Sequence, residues 1–165
     1  MNSQAEQVVV VTGGSRGLGA AIAVRLGRPG TTVVINYVER DAAAAAVARD
    51  VEAAGGRALL LKADVSDRSG LDAAWARLHT GRSMGPVTAV VHSAGARLQP
   101  SPFLDSDWER FARHLDVAVR GAYNCCQLFL PGMVERKQGA VVFVASAAAH
   151  AVPPSQWSPY VTAKG

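Results

Sequence analysis

Residues 8–11 are four consecutive valines, followed at once by Thr12-Gly13-Gly14-Ser15-Arg16-Gly17-Leu18-Gly19 and then by AAIAVRL at 20–26. An unbroken β-branched run reads as a strand buried on both faces, which is what a parallel sheet requires. Glycines let the backbone leave that strand sharply and approach a phosphate closely, because no Cβ stands in the way. A helix beginning there aims its free N–H groups and the positive end of its dipole at the anion. The order of strand, glycine turn and helix therefore predicts a phosphate cradle. The glycines at 13, 17 and 19 are spaced G-x-x-x-G-x-G rather than G-x-G-x-x-G, and a glycine turn between strand and helix also arises for packing alone.

The rest of the chain repeats that alternation. Short apolar strands are predicted at 33–35, 58–62, 87–91 and 140–144. Helices are predicted from Asp41, as cap, to 54, where Gly55-Gly56 ends the run, and over 71–78 with Ser66 as cap. Ser106-x-x-Glu109 reads as a capping box, with Trp108, Phe111 and Leu115 on one face. Helical character resumes over 117–134, interrupted at most near Gly121 and Pro131. This pattern predicts an α/β fold, a doubly wound parallel sheet of Rossmann type in three layers, α/β/α. The 165 residues suit one domain. Ligand belongs at the carboxyl ends of the strands, at the switch point. The segments after the strands, Asn36 to Arg40, Asp64-Val65, His92-Ser93-Ala94-Gly95 and Ala145-Ser146, all fall there.

Composition excludes several alternatives. The net charge of +4 is mild and its positive residues are scattered, so no nucleic-acid surface is expected. Apolar runs are strand-length, which predicts no membrane span, and the polar opening MNSQAEQ predicts no signal peptide. Cys125 and Cys126 are adjacent, a poor geometry for a disulfide, so two reduced buried thiols and a cytoplasmic location are expected. His79, His114 and His150 lack metal-ligand spacing and read as surface or loop residues; no metal is expected. The loop 150–157 either lines a pocket, with Trp157 as an apolar wall, or lies on the surface.

Tyr160 and Lys164 are four apart and share one helix face. A neighbouring ammonium favours phenolate and brings the phenol closer to neutrality, where it can move a proton. Ser146 supplies a hydroxyl at a strand end. Taken singly, the pair also reads as ordinary surface residues and the serine as a turn residue.

Thr12-Gly13-x-x-x-Gly17-x-Gly19, Asp64-Val65, His92-Ser93-Ala94-Gly95, Ser146 and Tyr160-x-x-x-Lys164, in this order and spacing, resemble the short-chain dehydrogenase/reductase family over the whole chain. The resemblance implies that Ser146 polarises a substrate carbonyl and that Tyr160 is general acid or base. It gives Lys164 the task of lowering the tyrosine pKa and holding the nicotinamide ribose. It assigns Asp64 and Val65 to the adenine end and Ser93, Ala94 and Gly95 to the cofactor wall; the glycine loop, Gly13, Ser15, Arg16, Gly17, Leu18 and Gly19, is the candidate phosphate cradle, and Asn36, Tyr37 and Arg40, after the second strand, are the candidates beside the adenosine ribose. NAD-preferring enzymes place an acidic residue after the second strand. Here Asn36, Tyr37 and Val38 are uncharged, and Arg16 and Arg40 can pair with a 2′-phosphate, so NADP(H) is favoured over NAD(H); Glu39 opposes that reading.

Three departures stand out. His92-Ser93 replaces the usual Asn-Asn. Ala118 stands where the family has an asparagine that helps hold a water for proton relay to the lysine. The chain stops at Gly165, where the family continues through the helix, two more strands and a substrate-covering segment. A fragment truncated after the fifth strand is therefore expected, from a homo-oligomeric parent acting on a small-molecule carbonyl or alcohol by hydride transfer. Reduction of a 3-oxoacyl thioester is one candidate; a nucleotide-binding module without turnover is the alternative.

Overall fold

In the computed structural model, which describes residues 7–80, 84–150 and 152–165, the valine run is the middle of strand β1 (Gln7–Thr12), buried on both faces. Side chains alternate across a strand, so Val8 and Val10 enter one apolar cluster with Val34, Leu61, Leu71, Val90 and Phe129. Val9 and Val11 enter the other, with Ala23, Val33, Ile35, Val47 and Val51. Two cores on the two faces of one strand require a helical layer on each side.

That is what the chain builds. The elements are β1, α1 (Gly17–Leu26), β2 (Thr31–Tyr37), α2 (Asp41–Ala53), β3 (Arg57–Lys62), α3 (Arg68–His79), β4 (Val87–His92), α4 (Trp108–Leu115), α5 (Gly121–Arg136), β5 (Ala140–Phe143) and α6 (Ser158–Lys164). All five strands are parallel, in the order β3-β2-β1-β4-β5. Residues of α1 and α2 complete the cluster around Val9 and Val11, and residues of α3 and α5 complete the other. The doubly wound, three-layer fold expected from the alternation is therefore present. Its switch point lies between β1 and β4, the two strands whose outgoing connections, to β2 and to β5, run in opposite directions. β5 is an edge of this sheet, with Val142 and Phe143 about half exposed.

Several boundaries differ from the expected ones. Asp67, not Ser66, caps α3, accepting from the Gly70 N–H at 3.1 Å, while the Ser66 hydroxyl donates to Asp64 Oδ1. Asp107, not Ser106, caps α4, accepting from the Arg110 N–H at 2.8 Å. In both places a carboxylate one residue on outcompetes the hydroxyl, since it bonds the donor with charge assistance. Asp41 is the first residue of α2 rather than its cap; Arg40 precedes it at φ 66°. The stretch expected as helix from 117 begins inside a π-helical turn, Asp116–Arg120, that joins α4 to α5 without a break, and Pro131 lies within α5. Cys125 is buried as expected, but Cys126 is only half-buried; both thiols are free. The expectation that residues 1–7 hold no signal peptide falls, for 1–6, outside the described residues, as does Ala151 of the loop 150–157. Among the described residues no helix is long and apolar enough to cross a membrane.

Candidate functional site

The carboxyl ends of β1 and β4 are locked together by one hydroxyl. Thr12 Oγ1 accepts from the N–H groups of Ser93 (3.1 Å) and Ala94 (3.0 Å). Both lone pairs are then used, so its own hydrogen goes to His92 Nδ1, 3.0 Å away. The His92 proton therefore sits on Nε2, which is buried against the Val117 and Ala118 backbone but makes no well-formed hydrogen bond there. Burial, and then the Lys164 ammonium, push the His92 pKa down to about 4. A base whose folded-state pKa lies below its unfolded value of about 6.5 destabilises the fold as acid is added. The loss begins as pH falls below 6.5 and is complete below about 4, where the gap amounts to roughly 3 kcal/mol. Urea denaturation at pH 7 and pH 4 is expected to give a smaller acid loss, by about that amount, for His92→Asn than for the unsubstituted chain.

Above this lock the glycine turn comes down on the β4 loop. Gly13 has φ 64°, and a Cβ there would lie 2.9 Å from the Ala94 Cα. A Cβ on Gly19 would overlap the Gly13 carbonyl oxygen. Gly17 has φ 54° with open space around it. Two glycines are thus required by close backbone approach and one by conformation alone. The turn leads directly into α1, whose N-terminus faces the same opening.

That opening is a cavity of about 640 Å³ over the switch point. Of the expected cofactor residues, Gly13, Ser15, Arg16, Asn36, Tyr37, Arg40, Asp64, Val65, Ala94 and Gly95 line it. Gly17, Leu18, Gly19 and Ser93 do not; Leu18 is 59% exposed. The polar groups of Asn36 and Tyr37 are turned to the fold. Asn36 Nδ2 donates to the Leu61 and Ala63 carbonyls, and the Tyr37 hydroxyl donates to Asp41 Oδ1. Burial, and then the Asp41 bond, raise the Tyr37 pKa. Asp64 accepts from the Ser66 N–H (2.9 Å), the Ser66 hydroxyl (2.6 Å) and Arg113 (3.0 Å). Burial opposes its ionisation, but those bonds outweigh it and hold the carboxyl below the ordinary range.

Sequence reasoning missed the wall contributed by α4 and the π-helical turn after it: Arg110, Arg113 and His114, then Val117, with Arg97, Gln99 and Asp107 from the preceding loop. The signal was the three-to-four spacing of Arg110, Arg113/His114 and Val117, which puts them on one helix face. His114, expected at the surface, is 5% exposed. Burial, and then the charge of Arg110, lower its pKa. In all, five arginines (16, 40, 97, 110, 113) face three carboxylates (Glu39, Asp64, Asp107), so the lining is net cationic.

The remaining three candidates lie beside the cavity rather than in its lining. Ser146 caps the short turn Ala147–Ala149, its Oγ accepting from the Ala148 N–H at 3.3 Å. Tyr160 is half-buried on α6, and its ring meets that of His114, which does line the cavity. Lys164 Nζ donates to the Val144 carbonyl at 2.6 Å, and burial lowers its pKa. Val144 N–H in turn donates to the His92 carbonyl, so the ammonium is anchored to the end of the same sheet. Among the described residues no hydrogen bond joins Ser146, Tyr160 and Lys164 directly, and the Tyr160 hydroxyl has no partner.

The family model for short chain dehydrogenases matches residues 7–165. The chain belongs to the short-chain dehydrogenase family. An uncharacterized oxidoreductase of Escherichia coli is 33% identical to this dehydrogenase chain over 161 residues, covering 96% of it and 64% of the relative. The 3beta-hydroxysteroid dehydrogenase 1 of Eggerthella lenta is 34% identical over 158 residues, 96% of this chain and 59% of that one. Among solved structures, a 3-oxoacyl-[acyl-carrier protein] reductase with bound NAD from Brucella melitensis superposes with a TM-score of 0.84 at 30% identity, covering 98% of this chain and 62% of that one. The chain thus spans about three-fifths of the length of these relatives.

Proposed function

We propose that this short-chain dehydrogenase chain is the dinucleotide-binding part of an NADP(H)-dependent oxidoreductase that interconverts a carbonyl and a secondary alcohol. The observation that carries the reading is the cationic cavity over a glycine turn whose Gly13 and Gly19 leave no room for a Cβ. A cradle of that shape fits a pyrophosphate. Arg16 and Arg40, both in the lining and without an ion-pair partner among the described residues, would hold a 2′-phosphate. The uncharged Asn36 and Tyr37 at the end of β2 leave the ribose without a carboxylate partner apart from Glu39. Asp64 and Val65 would border the adenine, with Ala94 and Gly95 along the opposite wall and Ser93 behind them, its N–H bonded to Thr12. When bound, the nicotinamide supplies or accepts a hydride.

The protein's own residues manage the proton. Ser146 orients and polarises the carbonyl oxygen. Tyr160 gives that oxygen its proton, or takes it in the reverse direction, with the Lys164 ammonium on the same helix face. Substrate is a small-molecule ketone or secondary alcohol. A 3-oxoacyl thioester is the first to try, given the similarity to the Brucella reductase. Free thiols fit a cytoplasmic protein, and the full-length parent is proposed to be a homo-oligomer. Ala118, where the family has an asparagine, favours a second reading, a binding module without turnover.

Oxidation of NADPH, followed by its absorbance across a panel of ketones and 3-oxoacyl thioesters, tests the proposal. Turnover that falls about 10²–10⁴-fold in Tyr160→Phe, with NADPH binding kept, is expected for a lost proton donor. Binding of NADPH without carbonyl-dependent oxidation would favour the module, and undiminished turnover in Tyr160→Phe would refute the role of Tyr160.

A further inference from the structure

The Tyr160 hydroxyl has no hydrogen bond to fix it among the described residues, so its direction is set by what grips the ring. Two rings do. The His114 ring lies 6.2 Å from that of Tyr160 at an interplanar angle of 89°, and the Trp157 ring lies 5.7 Å away at 85°. Both are edge-to-face contacts, the arrangement that aromatic quadrupoles favour.

The two grips come from independent parts of the chain. Trp157 immediately precedes α6, three positions before Tyr160 and on the same side of the helix. Its carbonyl accepts from the Val161 N–H at 2.9 Å, which fixes the start of α6. The residue before it, Gln156, is held at φ 67°, a conformation that side chains other than glycine rarely adopt. The Gln156 carbonyl accepts from the Ser101 N–H at 3.1 Å, so the loop ahead of α4 straps the Trp157 segment in place. His114 comes from α4, is almost wholly buried, and lines the cavity on one side while meeting Tyr160 on the other. The direction of the phenol therefore depends on ring contacts supplied by two separate segments.

We propose that His114 and Trp157 are positioning residues for Tyr160, clamping its ring between cavity wall and loop so that the hydroxyl is presented at one angle. The inference rests on the reading of Tyr160 as the proton-moving group. It adds that a side chain in the cavity wall is mechanically continuous with that group, so a ligand that moves His114 moves Tyr160.

The test compares His114→Ala, His114→Phe, Trp157→Ala and Trp157→Phe in the full chain, with Tyr160→Phe to assign the ring signals. NMR of the chain labelled with ¹³C-tyrosine is the readout that needs no turnover. The Tyr160 ring protons are expected to show ring-current shifts that change in each alanine variant, which removes one of the two rings, and return toward the original values in each phenylalanine variant. In the turnover assay kcat is expected to drop about tenfold in the alanine variants and recover in the phenylalanine variants. KM for the carbonyl and NADPH affinity should stay within about twofold for the Trp157 pair. Unshifted Tyr160 signals in both alanine variants would overturn the clamp. So would full kcat in those variants while Tyr160→Phe is inactive, which leaves the reading of Tyr160 standing and removes only this inference. Full turnover in Tyr160→Phe would instead remove that reading, and the positioning role with it.

Discussion

Gly13→Ala is expected to destabilise the chain by about 3 kcal/mol and to abolish measurable NADPH binding, whereas Gly17→Ala costs about 1 kcal/mol and leaves binding detectable. Both positions have positive φ, 64° and 54°. A side chain held in the left-handed region costs roughly 1–2 kcal/mol. The difference is what the new methyl meets. At Gly13 it would stand 2.9 Å from the backbone of Ala94, which cannot rotate away, because the Ala94 N–H is bonded to Thr12 Oγ1. At Gly17 it meets nothing within 4 Å. Overpacking against a fixed backbone adds roughly 1–3 kcal/mol. It would also spread β1 from the β4 loop at the base of the cavity. Urea denaturation gives the two stabilities, and NADPH fluorescence titration gives the binding. Equal penalties at the two glycines would mean that conformation, not close approach, governs the turn.

Replacing Arg16 and Arg40 together by alanine is expected to weaken NADPH binding about 100-fold and to leave NADH binding within about threefold. A charge-assisted hydrogen bond to phosphate contributes roughly 1.5–3 kcal/mol, and 1.4 kcal/mol is a factor of ten. About tenfold per arginine is therefore a conservative expectation, since both side chains stand at the rim of the cavity where water screens them. The NADPH titration should also show the steeper salt dependence, because only it carries the extra phosphate. An equal loss for the two dinucleotides would assign the arginines to the pyrophosphate, and no loss for either would make them solvated surface residues.

Much of the fold was legible because one residue pattern forces it. Valines filling both faces of β1 demand two helical layers, and the glycines that follow place a turn at the carboxyl end. The caps were less legible: Ser66 and Ser106 each sit beside an aspartate, and which of the two captures the first turn depends on where packing starts the helix. The α4 wall was misread for a related reason. Trp108, Phe111 and Leu115 share one helix face, yet Trp108 on that face is 69% exposed, whereas His114, expected at the surface, is 5% exposed. The helix is rotated so that its basic face, not its aromatic one, closes the cavity. Apolar periodicity cannot reveal this, because the partner of that face is a ligand cavity rather than a core. Asn36 and Tyr37 are candidates by position alone, and nothing in the neighbouring residues signals that their polar groups bond to Leu61, Ala63 and Asp41.

The central claim is that a phosphorylated dinucleotide lies across the switch point between β1 and β4. Backbone amide NMR of the ¹⁵N-labelled chain titrated with NADPH tests it most directly. The account predicts large, saturable shifts at Gly13, Ser15, Arg16, Arg40, Val65, Ala94 and Gly95, with the Arg40 response reduced when NADH replaces NADPH. Shifts confined to the outer groove between α1 and α2, around Ala21, Val24 and Val47, or no shifts at millimolar NADPH, would contradict it.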